Sequence, residues 1–257
     1  MIHHSSIIDP SANIDSTADI GPFSVIGPDV DIGPYSNIGP YVTVKGPTII
    51  GQNNRIYQYS SIGEDPQDKK FAGEAESVLR IGNNNVIREY CTINRGTGPG
   101  GGVTSMANDN WFMAYVHIAH DCIIGSRNTF ANNATLAGHV IVGNDVILGG
   151  FTGIHQFCRI GNYSFTAISS VVVKDVPPFL IVSGNTAKAN GLNKEGLKRH
   201  GFSQERINKL RKAYKILYRN GLLLKDAFAE LNELAQYNED IKSLCDFIGE
   251  SERGITR

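Results

Sequence analysis

Four of the chain's seven histidines, His117, His120, His139 and His155, sit in one stretch near its middle. Imidazole titrates near neutral pH, at about 6.5, so one such group can take a proton from a hydroxyl while its neighbours hold a substrate. Histidine is also the commonest metal ligand, which makes a metal site the first competing reading. Any one of these histidines taken alone reads more readily as a structural ring than as a functional one. Where the fold puts the four rings relative to one another decides between these readings.

That placement follows from a six-residue beat. Aliphatic residues occupy positions 8, 14, 20, 26, 32, 38, 44, 50, 56 and 62 without a miss, and the beat returns at 81, 87 and 93 and again from Phe112 through Ile118, Ile124, Phe130, Leu136, Val142, Leu148 and Ile154 to Ile160. Many of the early hits are followed by Gly and then Pro, Asn or Asp, which marks one short strand and one turn per repeat. A helix needs apolar residues at 3.6 spacing and would be broken by the Gly and Pro load, so helix is excluded here.

Two breaks interrupt the beat. After Ile62 comes a polar run from Glu64, and Gly96-Thr-Gly-Pro-Gly-Gly-Gly precedes the return at Phe112. Both steps, 62 to 81 and 93 to 112, read as excursions (loops 64–77 and 96–107) from an otherwise intact 18-residue coil. Insertions into a solenoid map to loops on one face, often the functional one, so the two loops are candidate walls of a site.

Composition narrows the class. A net charge of −1 gives no global case for nucleic acid or an anionic membrane. Cys91, Cys122, Cys158 and Cys245 lie far apart without a CxxC pair, and they read as reduced filler thiols. No basic segment leads into an apolar one at the N-terminus, and no window approaches the ~18 apolar residues of a membrane span. A cytoplasmic enzyme or binding protein is the expectation.

Hexads closing a coil at every third repeat are the pattern of the hexapeptide acyltransferases, which the chain resembles from residue 8 to about 177. The resemblance implies a mainly β protein: a left-handed parallel β-helix of triangular section, an exception to the usual crossover hand, that assembles as a homotrimer. The expected division is 1–187 for the β-helix and 188–257 for an α-helical C-terminal part. With 18 residues per coil, His120, Gly138 and Gln156 stack in one column at about 4.8 Å per coil. His139 is then one coil above His120, His155 two coils above beside Gln156, and His117 three residues before the same corner. Rings spread over about 10 Å would not converge on one zinc ion, so no metal is expected and general-base chemistry is favoured. The Gly138 backbone N–H, stacked on His120 and free of a Cβ, suits an oxyanion formed there.

The segments His117-Ile-Ala-His120-Asp121-Cys122, Ala131 to His139 and His155-Gln156-Phe157-Cys158 resemble the UDP-N-acetylglucosamine acyltransferase family, as do Asn193-Lys-Glu195-Gly-Leu-Lys-Arg199 and the loop Gln67-Asp68-Lys69-Lys70. They run in family order over essentially the whole chain. The resemblance implies transfer of an R-3-hydroxyacyl group from acyl carrier protein to the glucosamine 3-hydroxyl of UDP-N-acetylglucosamine, the first step of lipid A synthesis, with no cofactor beyond the carrier's phosphopantetheine. It makes His120 the general base, with Asp121 as its partner. Asp68, Lys70, His117, His139, His155, Gln156, Asn193, Glu195 and Arg199 become substrate contacts. Where the family pattern has a second arginine after Arg199 this chain has His200, which weakens phosphate pairing and makes it pH-dependent. Ile168, with Phe165 close by, matches a position that measures the acyl chain, and a bulky residue there implies roughly ten carbons rather than fourteen. The other reading of Ile168 is a stacked core residue.

After Pro177-Pro178 the pattern turns helical, with Ser203 as N-cap of a helix ending near Gly221 and further helices over 225–236 and 239–249. Residues 188–219 carry a local net charge of +8, against −5 before them and −4 after. A solvated basic face is one reading and a nucleic-acid surface another, the latter disfavoured because Tyr214 and Tyr218 belong to the apolar stripe. Given the resemblance, Lys209, Arg211 and Lys212 are expected to dock the acidic carrier protein. Two alternatives stay open: a non-catalytic trimeric scaffold or sugar-nucleotide binder, and the N-acyltransferase acting later in the same pathway, for which a repeat starting at residue 8 leaves no N-terminal domain.

Overall fold

A computed structural model describes residues 1–73 and 77–257, so 74–76 of the expected loop 64–77 lie outside the described residues. Strands of two to five residues stack into three sheets that form the sides of a triangular prism. The first sheet has nine strands and runs from Ile7–Ile8 to Val171–Val172; the second has eight, from Asn13–Ile14 to Arg159–Ile160; the third has ten and begins at Asp19–Ile20. Each strand pairs in parallel with the one a coil away, as Thr129 does with Ile147 and Ile147 with Phe165. The beat residues point inward, and Ile56, Ile87, Phe112, Phe130 and Leu148 are at most 1% exposed. Each such side chain contributes about 1.5–3 kcal/mol of burial, and two residues per side suffice because the next coil supplies the neighbours.

One detail departs from the sequence reading. The second excursion ends earlier than expected, because Val103–Met106 is a strand of the second sheet in which Met106 pairs with Ile81 and with Ile124. The beat therefore returns at Met106 rather than Phe112. The missed hit is a methionine behind a glycine-rich loop, and the two excursions differ in length although their endpoints share one spacing.

Non-glycine residues take positive φ at the prism edges, among them Asp121 (φ 59°), His139 (60°) and Asp145 (59°). Along the edge between the third and first sheets, Phe23, Tyr41, Tyr59, Tyr90 and Tyr115 stack with centroids 4.9 to 5.4 Å apart. Inside the edge between the second and third sheets runs a ladder of buried asparagines. Asn85 and Asn110 each send a backbone N–H and an Nδ2 to the Oδ1 of the asparagine below, 2.9 to 3.1 Å away, and Asn128 continues the series.

Beyond the coil, Leu180–Ser183 extends the third sheet and Lys188–Leu192 turns back antiparallel to it. Residues 188–192 are thus strand, and the helices α1 (Lys194–Arg199), α2 (Gln204–Tyr218), α3 (Leu224–Ala235) and α4 (Glu239–Gly249) follow. The last three match the helices read from sequence; α1 was not foreseen. Asn110→Ala strands the Asn128 N–H inside the ladder and should cost about 3 kcal/mol. Chemical unfolding of this variant beside exposed Asn132→Ala, which should stay within about 0.5 kcal/mol, checks it.

Candidate active site

Both excursions leave the coil at the same edge, between the first and second sheets, one and two coils below His120. Buried Arg95 ties them together: Nη1 donates to Gly63 O (2.6 Å), Nε to Ser77 Oγ (3.2 Å), and Nη2 pairs with the Asp65 carboxylate. Nothing in the hexad pattern pointed to this arginine. Asp68 lies in the first loop, its Oδ1 accepting from the Lys70 N–H at 2.9 Å, and the Lys70 side chain is exposed.

His120 follows the strand His117–Ile118 at the corner. Its Nδ1 is 2.7 Å from Asp121 Oδ2, and the Asp121 side chain is 1% exposed. A carboxylate only accepts, so Nδ1 carries the proton and Nε2 presents a lone pair outward, the tautomer a general base needs. Two further donors, both from Thr97 in the second loop, hold the carboxylate: the backbone N–H reaches Oδ1 at 2.8 Å and the hydroxyl Oδ2 at 2.7 Å. The Asp121 N–H donates to buried Thr104 Oγ1 at 2.8 Å.

The 18-residue column is realised. A Cβ on Gly138 would lie 2.6 Å from His120 Cε1 and 2.8 Å from Nε2, so the imidazole rests against bare glycine backbone and any side chain there would displace the ring. Among the described residues the Gly138 N–H donates to no backbone oxygen. His139 meets His120 edge to face at 5.2 Å, stacks on Phe157 at 4.5 Å, and brings Nε2 to 3.6 Å from Asp121 Oδ2. His117 Nδ1 is 2.7 Å from Thr92 Oγ1; burial, and then the charge of His120, hold its pKa below the ordinary histidine value. His155 and Gln156 stand exposed at the next coil. A groove of about 590 Å³ opens beside these rings, from Gly100 and Asp121 past His139 and Phe157 to Arg253.

The ligating atoms of His120, Asp121 and His139 lie within 4.8 Å of one another, a closer convergence than the column arithmetic suggested. An ion among them would have to break the direct His120–Asp121 hydrogen bond that sets the tautomer.

The remaining predicted residues are elsewhere. Asn193 is the N-cap of α1: Oδ1 accepts from the Gly196 N–H (3.1 Å) and Nδ2 donates to Tyr163 O (2.9 Å), so both ends of its amide are engaged. Glu195 pairs with Lys198, and Arg199 is exposed. His200 packs edge-on against Tyr163 at 5.2 Å, with Nδ1 3.7 Å from Asp145 Oδ1. Tyr163 and Asp145 belong to the edge between the second and third sheets, so this group is separated from His120 by a whole side of the prism. Ile168 lies past Phe165–Thr166 on the third–first edge and is 70% exposed, which removes the core reading. Phe165 sits in the third sheet, in register with Ile147 and Ile181.

On α2, Lys209, Arg211 and Lys212 all face solvent, with Lys209 2.7 Å from Glu205. Arg206 is not part of a free basic face, since it grips Asp240 with two bonds and covers the Phe202 ring. All four cysteines are unpaired and buried, and burial pushes the Cys91 and Cys122 thiols up to about 12. Among the described residues no helix is long and apolar enough to cross a membrane.

Comparison with known proteins agrees with this geometry. Residues 12–46 and 104–138 match the bacterial transferase hexapeptide model, and residues 175–256 match the second domain of UDP-N-acetylglucosamine O-acyltransferase. The acyl-[acyl-carrier-protein]–UDP-N-acetylglucosamine O-acyltransferase of Janthinobacterium sp. strain Marseille is 52% identical over all of this chain and 99% of its own. That of Stenotrophomonas maltophilia strain K279a is 48% identical over 100% and 97%. The structure of the Francisella novicida UDP-N-acetylglucosamine acyltransferase superposes with a TM-score of 0.98 at 46% identity, covering 100% of this chain and 94% of that one. The coil is accordingly a left-handed parallel β-helix, and the chain belongs to the UDP-N-acetylglucosamine O-acyltransferase family.

Proposed function

We propose that the chain transfers an R-3-hydroxyacyl group from acyl carrier protein to the 3-hydroxyl of UDP-N-acetylglucosamine, the first step of lipid A biosynthesis, with His120 as general base. The observation that carries this reading is the His120–Asp121 pair resting on the bare backbone of Gly138. Nε2 takes the hydroxyl proton as the sugar oxygen attacks the thioester carbonyl, and Asp121 stabilises the resulting imidazolium. The Gly138 N–H receives the oxyanion. Collapse breaks the C–S bond, and the imidazolium returns its proton to the departing phosphopantetheine thiolate. No cofactor of the chain's own enters these steps. His117, kept neutral by burial, and His139, His155 and Gln156 contact the substrates along the same edge, with Asp68 and Lys70 contributing from the loop below. Four buried, unpaired thiols suit the reducing cytoplasm, where the carrier protein works.

The assembly is a homotrimer with its sites between subunits. Glu195, Arg199 and His200, the proposed nucleotide contacts, stand one prism side away from His120, and six residues at about 3.3 Å each make that side roughly 20 Å. The catalytic edge of one copy set against the nucleotide edge of the next is a head-to-tail contact that closes as a ring of three. Asn193 serves by fixing α1 on Tyr163. Exposed Lys209, Arg211 and Lys212 dock the acidic carrier, and exposed Ile168 shortens the acyl chain accepted.

Three measurements test this. With UDP-N-acetylglucosamine and a series of 3-hydroxyacyl carrier proteins, the wild type should prefer roughly ten carbons, and His120→Ala should lose about 10²–10⁴ in rate; equal rates remove the mechanism, and a preference for fourteen carbons removes the Ile168 assignment. Reversing Lys209, Arg211 and Lys212 to Glu should raise the KM for the carrier at least about tenfold at low salt and leave that for the sugar nucleotide alone. Co-assembled His120→Ala and Arg199→Ala chains should recover up to about a quarter of wild-type activity, because one interface in four then carries both intact edges. Activity no higher than that of the two parents would sink the shared site.

A further inference from the structure

Thr97 closes the second excursion on itself. Its carbonyl accepts the N–H groups of Gly100 (3.0 Å) and Gly102 (2.8 Å), and its Oγ1 also accepts from Gly100 N at 3.2 Å. Because the hydroxyl oxygen already accepts from Gly100, its proton is directed at its other neighbour, Asp121 Oδ2, 2.7 Å away. The Thr97 N–H takes Oδ1, so one residue grips both oxygens of a carboxylate that is 1% exposed. Gly100 lies flat on that carboxylate, where a Cβ would come within 2.3 Å of Asp121 Cγ and Oδ2. Thr97 makes no hydrogen bond to His120; its link to the imidazole passes through Asp121.

We propose that Thr97 is a positioning residue for the general base: its two-point grip, capped by Gly100, fixes the Asp121 carboxylate so that Oδ2 takes the His120 Nδ1 proton and leaves Nε2 free. This rests on His120 being the base. A carboxylate held on one oxygen alone would rotate about χ2, and the Nδ1 proton would lose its fixed acceptor. The glycine-rich loop is thereby a clamp for the dyad as well as a wall of the groove, and its glycines let the backbone lie against the carboxylate without a side chain between them.

Thr97→Val preserves shape and the backbone N–H but deletes the hydroxyl; Thr97→Ser restores it. A hydrogen bond to a charged group is worth enough that kcat should fall about ten- to a hundredfold in Thr97→Val, with KM for UDP-N-acetylglucosamine unchanged within about twofold, and return in Thr97→Ser. In an Asp121→Asn background the same substitution should cost less than about twofold. Nitrogen-15 NMR of histidine-labelled full-length protein gives a readout independent of turnover: the Nδ1-protonated His120 tautomer should dominate in wild type and Thr97→Ser and become mixed in Thr97→Val. A wild-type tautomer in Thr97→Val overturns the proposal, as does a wild-type kcat or an undiminished loss in the Asp121→Asn background. Should His120→Ala leave acyl transfer intact, the functional reading fails and the tautomer alone decides the clamp.

Discussion

The structure depends on one constraint: every coil must return to its starting edge so that each strand pairs in parallel with the strand below it. Most sides carry only two paired residues before a corner, so the inward residue is aliphatic at nearly every repeat, and residues one coil apart stack whatever their chemistry. Extra chain can leave only where no pairing is lost, which is at an edge. Both excursions use the first–second edge, and His120, His139 and His155 stand above them on that edge. Stacking then lays the His120 ring on Gly138, with the His139 N–H donating to the His120 carbonyl at 3.0 Å and the Asp121 bond fixing the ring.

Two edges repeat one arrangement with opposite consequences. Asp121 and Asp145 both occupy a positive-φ corner, and each has a side chain 1% exposed. Asp145 receives two bonds from Arg127, at 2.8 and 2.7 Å, and a guanidinium never releases its proton, so that carboxylate's charge is matched permanently. Asp121 faces an imidazole, which can gain and lose charge. The buried carboxylate is the same device in both places. The choice of partner makes one a structural ion pair and the other the orienting half of the proposed proton-transfer dyad.

The inward column, the stacking of His120, Gly138 and Gln156, and the placing of both loops on one face were legible because each depends only on spacing. Three things were not, each for a physical reason. Met106 is a poor marker of the beat, and a loop of unknown length precedes it, so the second excursion was drawn too long. Arg95 and Thr97 act through contacts between irregular segments, Arg95 to Asp65 and Thr97 to Asp121, for which no period exists. The chain reversal at Lys188–Leu192 was hidden because an antiparallel strand at the end of a parallel solenoid has no repeat of its own, and with it went the position of α1 on Tyr163. Resemblance supplied the list of site residues. It carried no information on which edge each would occupy.

That division between edges bears on how the proposed reaction is controlled. The first–second edge is held by coil stacking, the Arg95 tie and the grip on Asp121, all within one chain. The second–third edge is held by the Asn193 bracket and by Tyr163 against Phe202 and His200. Each half is preorganised on rigid elements, which favours precise geometry at the reacting atoms. Neither half contains what the other supplies, so in the proposed ring an isolated chain would hold a competent base with no bound nucleotide to act on. Assembly then becomes a condition of turnover, and a substitution at either edge can abolish activity while leaving the opposite edge, in the same chain, fully able to serve a neighbour.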